Sequence, residues 1–554
     1  MIARTSTVVA AAALVAGCAH HARPSPDDQI VYCASLDRRA DGDACVEPIS
    51  VETARHREHA AVLHLRGGRV QSTEWQRHLS GTTSRRAYRY DAGVLVRIDD
   101  FREDGRLTKT TVLSENGRRR RMLDAWGRQS SKYGEEGNDV LYEVDARGLD
   151  VVSKGFDESG HPDVGEHGAV ESRVEYDARG HTISVSLFDE SGRPTLGRDG
   201  WHRRETAWTG VACPAVTTYL DVSGRPTRAL SGVAMTRTVC DSWGNRLEIE
   251  HLDEHGGKAT QTGFGHRWEG KRDELGRLVE SRWIALDGVP IVREGRAVSR
   301  YTYDAAARVN EVWFLDATGE PEAAGKVARR VFVYDASGHV VERRNLDAKG
   351  ALARWRGAQA IERHRFDDRG NEVLTRYFDA NGLLTRSDRG VASRRRRYDE
   401  RDQLVEESFF DADGVPSAWN RGYARETYEL DARGRTASRK TYDAAGNEVP
   451  HRTLEYLSIR FAGTSRDVDR TKEEASRRAA EAYERLRAGA AWESIVLSYS
   501  DDRDSARYGG SLGAFSPGAK EWADVVKPTE GLAVGAISEP VAASSAFYIV
   551  RRVE

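Results

Sequence analysis

The 554-residue chain has five cysteines and no Cys-x-x-Cys pair, which speaks against the usual thiolate metal sites. It has no surplus of either charge: 84 Lys and Arg stand against 87 Asp and Glu, for a net charge of −3. A dedicated nucleic-acid binder would carry a basic surplus, so that class is set aside. Beyond the first eighteen residues no run is long and apolar enough to cross a bilayer as a helix. No His-Glu-x-x-His occurs. His56, Glu58, His59 and His64 lie close together without ligand spacing and read as a solvated helix face, and His20 and His21 as solvated tether residues. Proline is scarce (14) and glycine plentiful (52), the balance of a turn-rich β protein.

What is present begins with an address. "MIARTSTVVAAAALVAGC" has Arg4, a short apolar run from Val8 to Val15, and Val-Ala-Gly before Cys18. It resembles the bacterial lipoprotein signal. That resemblance implies removal of residues 1–17, a lipid on Cys18, and attachment to a membrane by acyl chains worth ~0.8 kcal/mol per buried CH₂. Ala19 after the cysteine implies the outer membrane of the cell envelope. Residues 18–29 then read as a tether, and 30–86 as an N-terminal cap region. Cys33, Cys45, Cys213 and Cys240 remain, an even number that suggests disulfides in an exported protein. Three pairings are open; the local one joins Cys33 to Cys45 and Cys213 to Cys240.

From 87 to 450 the chain repeats. Aspartates open turns at Asp145, Asp177, Asp241, Asp273, Asp304, Asp335, Asp367, Asp399 and Asp431, 31 or 32 residues apart except for one double step after Asp177. A second aspartate follows 12 residues later in most units, as at Asp189, Asp379 and Asp411. Asp opens a turn because its carboxylate accepts from the backbone amides ahead of it, and Gly at the fourth place takes positive φ without strain. Flanking runs such as "HTISVSLFD" alternate apolar and polar, as half-buried strands do. The aromatic before each Asp is expected to form a stacked apolar ladder. The result is an antiparallel β-hairpin array sharing one core between neighbours, and it resembles YD/Rhs-type repeats. Calcium-binding repeats need denser Gly and Asp, and a glycosidase needs one special carboxylate pair. The aspartates therefore read as turn formers.

After Pro450 the rhythm stops. "TKEEASRRAAEAYERLRAG" predicts a helix, with Thr471 and Glu474 as a capping box, Ala475, Ala479, Ala482 and Leu486 as its apolar stripe, and Gly489 as its stop. Trp492, Ile495, Val496 and Tyr499 have helical spacing. "LEYLSIRF" and "AFYIVRRV" read as strands, giving a small α+β domain. "EYLSIRF", "RLRAGAAWESIVLSYSDDRDSARYGGSLGAFSPG", "LAVGAISEPV" and "SSAFYIVRRVE" occur in this order. In order and spacing, residues 451–554 resemble the parvulin (PpiC-type) peptidyl-prolyl isomerases, which rotate X–Pro bonds on a curved sheet wrapped by helices.

On that resemblance Asp502 takes the acidic position of the polar centre and Ser545 the Ser/Thr position of the last strand. Leu512 and Phe515 form the apolar wall, shaped by Gly509 and Gly510. The family's two histidines are replaced by Tyr456 and Tyr548, which implies a hydrogen-bonded Tyr-Asp-Tyr centre. In "GAKEWADVVKPTEG" Lys520 stands at the place of a pocket methionine, and Trp522 or Val525 at that of a phenylalanine. The reaction breaks no bond, so it calls for no cofactor. The implied function is a lipid-anchored foldase for unfolded or proline-containing envelope proteins, without nucleic acid or metal. The alternative is an inactive, peptide-binding parvulin-like module on a β-repeat scaffold or adhesin. A toxin-associated Rhs-like protein fits less well, because the C-terminus is not an unrelated toxin.

Overall fold

The computed structural model describes residues 28–554 except 40–41, 80, 104, 125–126, 128–138, 158–159, 166, 230, 262–263, 293–295, 322–325, 356–357, 432–435, 462–469, 507–508 and 517–518. The leader, Cys18 and nearly all of the tether lie outside the described residues.

The repeats build an antiparallel sheet of 29 strands among the described residues. One unit shows how sequence becomes structure. Ser393–Tyr398 runs beside Leu404–Phe410, with Ser393 opposite Phe410, Tyr398 opposite Leu404, and a one-residue slip between Arg397 and Tyr398. The same slip falls just before Tyr176, Tyr303, Tyr334 and Phe366. It is a β-bulge, and an extra residue at the same place in each hairpin adds twist at each step.

Each turn aspartate works through one oxygen. Asp411 Oδ1 accepts from the amides of Asp413 (3.0 Å) and Val415 (2.9 Å). Asp189 Oδ1 does the same with Ser191 and Arg193, both at 2.9 Å. Two turns lack the usual glycine: Ala307 and Asp402 adopt φ of 54° and 58° there. Left-handed backbone costs about 1–2 kcal/mol for a residue with a Cβ. Asp402 offsets this by accepting from Arg106 at 2.6 Å and Asn371 at 2.8 Å. At the double step after Asp177 the hairpin is still present. Arg203–Thr209 and Cys213–Leu220 are joined by a turn with Gly210 and Ala212 at positive φ, so no aspartate is used.

The aromatic ladder differs from the expectation. Tyr303 and Tyr334 are two strands apart, about 9–10 Å at the spacing of a sheet, which is too far for ring contact. Arginine fills the gap: Arg308 lies 4.5 Å from the Tyr334 ring and Arg277 5.1 Å from that of Tyr303. The hydroxyls do not float. Tyr303 donates to the Leu278 carbonyl (2.6 Å) and Tyr334 to that of Val309 (2.7 Å), tying each hairpin to the one before. The alanine of the Gly-x-Ala skeleton is also explained. Ala328, Ala360 and Ala392 are fully buried, and their amides donate to the ends of the following long strands, leaving no room for a larger side chain.

The stretch 30–86, set apart in sequence as a cap, adds strands to the same sheet. The sheet winds back so that this stretch meets later turns. Glu47 reaches His181 (3.2 Å), the Glu58 amide donates to Asn245 Oδ1 (2.7 Å), and Arg272 pairs with Glu58 (2.9 Å). His56 stacks on Trp243 at 4.6 Å. Disulfides join Cys33 to Cys45 and Cys213 to Cys240, with Cα separations of 5.7 and 6.2 Å. The second staples the aspartate-free hairpin to its neighbour.

The C-terminal domain has a four-stranded antiparallel sheet in the order Ser511–Phe515, Arg452–Arg460, Ala546–Arg552, Val541–Ala542. The helix Lys472–Arg487 carries the Thr471/Glu474 capping box and buries Ala475, Ala479 and Ala482. With Trp492–Tyr499 it covers one face of the sheet, against Leu457, Ile459, Phe547 and Ile549. Period-two alternation sends Tyr456 and Tyr548 to the other face.

The turn carboxylates make the array acid-sensitive. Amide hydrogen bonds hold Asp189, Asp253 and Asp379 below the ordinary carboxylate range. At Asp177 and Asp335 burial pushes the other way, and the hydrogen bonds outweigh it. A carboxylate with a depressed native pKa stabilises the fold above its unfolded value of about 4, and that contribution disappears as pH falls through the native value. The urea midpoint of the chain is therefore expected to drop steadily from pH 5 to pH 2.5; a flat or rising midpoint would contradict the turn account.

Candidate functional site

The face carrying Tyr456 and Tyr548 is closed by the segment that follows Ser511–Phe515. Trp522 sits there with its ring 5.3 Å from Tyr456 and 5.6 Å from Tyr548, edge-on to the latter. Its backbone is left-handed, φ 56° and ψ 27°. Beneath this aromatic trio lie Leu512, Phe515, Val525 and Val526.

The acidic pair divides its labour. Asp501 is structural: its amide donates to Ser458 O and its carboxylate accepts from the Arg460 amide, both at 2.7 Å, and pairs with Arg470. Asp502 faces the site and accepts a hydrogen bond from the Tyr456 hydroxyl. The Ser505 amide supports its other oxygen at 3.3 Å. Burial, and then the bond to Asp502, raise the Tyr456 pKa, so the phenol keeps its proton and donates. Tyr456 is placed here by the loop beside it. Its amide donates to Gly510 O at 2.7 Å, and a Cβ on Gly510 (φ 77°) would run into the Tyr456 carbonyl.

The structure joins some of the sequence-selected residues and separates others. Tyr456 and Asp502 are bonded. Tyr548 does not complete a Tyr-Asp-Tyr chain: its hydroxyl partner is Ser545 Oγ at 3.4 Å. Alternation puts its ring on the right face, but its hydroxyl turns toward the strand start rather than toward Asp502. Phe515 is 0% exposed and Val525 3%, so both form the floor of the site, not a wall open to a ligand. Leu512 is nearly as buried. Lys520 is exposed. Only Trp522 among the apolar candidates keeps partial exposure. Tyr456 and Tyr548 are 4% and 7% exposed, so the aromatic centre is covered as it stands.

One part of the site comes from a hundred residues upstream. The loop Trp-Asn-Arg-Gly at 419–422 of the array lies against the segment before Trp522. Lys520 and Glu521 donate their amides to Asn420 O (2.7 and 2.9 Å), and the Ser516 amide donates to Arg421 O (2.9 Å). The Arg421 guanidinium covers the Phe515 ring at 4.8 Å and pairs with Glu521 at 3.2 Å. The preceding repeat has Ser-Asp-Arg-Gly at this place. That change was a visible signal, but nothing in the sequence alone linked it to the C-terminal domain.

The family profile "Rotamase: PPIC-type PPIASE domain" matches residues 459–554, beginning just after Tyr456. Among curated proteins no relative matches the chain. Among solved structures it is similar to the peptidylprolyl isomerase PrsA from Bacillus cereus, at 24% identity over 19% of this chain and 35% of that one, with a TM-score of 0.16. It is similar to TbPIN1 at 25% identity, over 19% of this chain and 97% of that one, TM-score 0.17. The array is similar to TcdB2-TccC3-Cdc42, at 13% identity over 76% of this chain and 22% of that one, TM-score 0.26.

Arg421→Ala removes a cation–π contact worth about 0.5–2 kcal/mol and frees Glu521. Hydrogen exchange at the Lys520 and Glu521 amides is expected to quicken at least about tenfold by local opening. Unchanged exchange would mean that the array does not hold the Trp522 segment.

Proposed function

We propose that the PpiC-type domain at residues 459–554 rotates X–Pro bonds, and that it does so with tyrosine and aspartate in place of histidine. The observation that carries this is the bonded Tyr456–Asp502 pair beside an aromatic surface, with Asp502 inside the segment matching that family and Tyr456 just before its start. The uncatalysed bond turns in tens to hundreds of seconds, because amide resonance sets a barrier of ~18–20 kcal/mol. A catalyst needs to favour the twisted amide over both planar forms. Trp522 offers the prolyl ring an apolar face. The Tyr456 hydroxyl, held by Asp502, provides a fixed dipole in a desolvated surface, where it acts more strongly than in water. Ser545, exposed at the start of the last strand, can meet the peptide backbone. No bond breaks and no proton need leave the protein.

The setting belongs to the same reading. A signal ending at Cys18 would lipid-anchor the chain, with the outer membrane as its site and unfolded or proline-containing envelope proteins as its clients. The wound array would hold the isomerase domain away from the anchor.

A second reading is supported by the covered aromatic centre. With Tyr456 and Tyr548 almost fully buried under Trp522, the domain would hold peptides on the outer face of Trp522 without turning them. The two readings separate in one experiment on the full chain. Cis–trans exchange in a set of X–Pro peptides, followed by NMR, is expected to quicken with the wild-type protein and to slow about 10²-fold toward buffer with Asp502→Ala. Peptide binding without faster exchange would leave only the binding module. An Asp502→Ala protein as fast as wild type would remove that residue from the centre.

A further inference from the structure

One face of the array carries a part-open cavity of about 270 Å³ lined by Arg330, Arg343, Arg389 and Arg394, with Glu362 and Asp388 as its acids. It borders the loop that backs the Trp522 segment, since Asn420 donates to the Asp388 and Arg389 carbonyls at 2.9 and 3.2 Å. The pairing is uneven. Arg343 donates to Glu362 at 2.9 Å, and Arg394 to Glu372 at 2.9 Å. Arg330 donates its Nε only to the neutral Asn345 Oδ1, at 3.0 Å. Among the described residues neither Arg330 nor Arg389 has a carboxylate at ion-pair distance. Arg330 is fixed in place besides: its guanidinium lies 4.7 Å from the Trp355 ring, whose other neighbour is Arg296 at 4.2 Å. Burial first, then Arg343 and Arg296, pull the Arg330 pKa down to about 10, with Glu362 pulling the other way. Elsewhere in this sheet, arginines on the same half-buried face are matched by glutamate, as Arg396 is by Glu407 and Glu372. The cavity also holds polar groups without partners. Gln359 Oε1 and the Nε of Arg343 are buried with no hydrogen-bond partner, while the Arg394 Nε pairs with Glu407 at 3.5 Å, and Tyr377 lines the cavity at 5% exposure.

A half-buried cation without a carboxylate, beside buried polar atoms without partners, is costly unless something meets it. We propose that this cavity is a binding site for a small phosphate-type oxyanion, clasped by Arg330 and Arg389. Guanidinium groups match phosphate geometry through paired N–H donors. A hydrogen phosphate has in addition an O–H to give the Gln359 carbonyl, whereas a chloride does not. The volume suits a free phosphate or the phosphate end of a monoester, and is below that of an ordinary drug-sized pocket.

Calorimetric titration of the full chain at constant ionic strength tests this, with inorganic phosphate in one arm and glucose 1-phosphate in the other, against chloride. Saturable binding is expected in at least one arm, and the tighter arm tells the free anion from the monoester. Arg330→Gln and Arg389→Gln are each expected to weaken it about tenfold, while Lys349→Gln, an exposed charge in the same part of the array, leaves it unchanged. Arg389 is itself exposed, so its variant retains the fold if Arg330→Gln does not. No saturable binding in either arm, or binding equally tight in both arginine variants, would overturn the proposal.

Discussion

The hydrogen bonds from backbone amides to one aspartate oxygen set the frame for everything else. They close a hairpin at a fixed residue and so fix the register of its two strands. Register in turn decides which side chains face inward, since a slip of one residue would invert each strand. With turns 31 or 32 residues apart, the units repeat the same bulge, and several of them the same buried alanine and the same tyrosine hydroxyl bond to the unit before. Such an array is stabilised mainly by contacts between neighbouring units, with the winding adding bonds between distant ones. Its regularity allows one irregular hairpin, the one closed by Gly210 and Ala212, to be tolerated and pinned by a disulfide.

That regularity explains how much could be read from sequence. The period, the hairpins, the capping box at Thr471 and the helical stripe of Ala475, Ala479 and Ala482 are local patterns, and local patterns are legible. The arginines between the aromatic rings were less so, because their placement follows from the spacing of strands rather than from neighbours in sequence. The winding that brings Glu58 to Arg272 and Arg106 to Asp402 was not legible at all. It depends on twist accumulated over many strands, and no short motif records it.

The C-terminal site divides in the same way. Tyr456 and Asp502 come together because the strand and the loop beside it are joined through Gly510 and Asp501, all in one small domain. Phe515 was read as a wall on the resemblance to the parvulins, which says nothing of what the array lays over it. In the structure Arg421, from a loop of the array, lies over its ring. The array thus serves as more than a spacer: it supplies a backing to the segment that carries Trp522, and the site is composite.

The central claim is that Tyr456 and Asp502 act as one hydrogen-bonded unit on the prolyl bond. A double-mutant cycle on X–Pro exchange by the full chain, with Tyr456→Phe, Asp502→Asn and both together, tests it most directly. If they are one unit, the double variant is no slower than the worse single variant. Losses that simply multiply, or single variants with no loss, would contradict it.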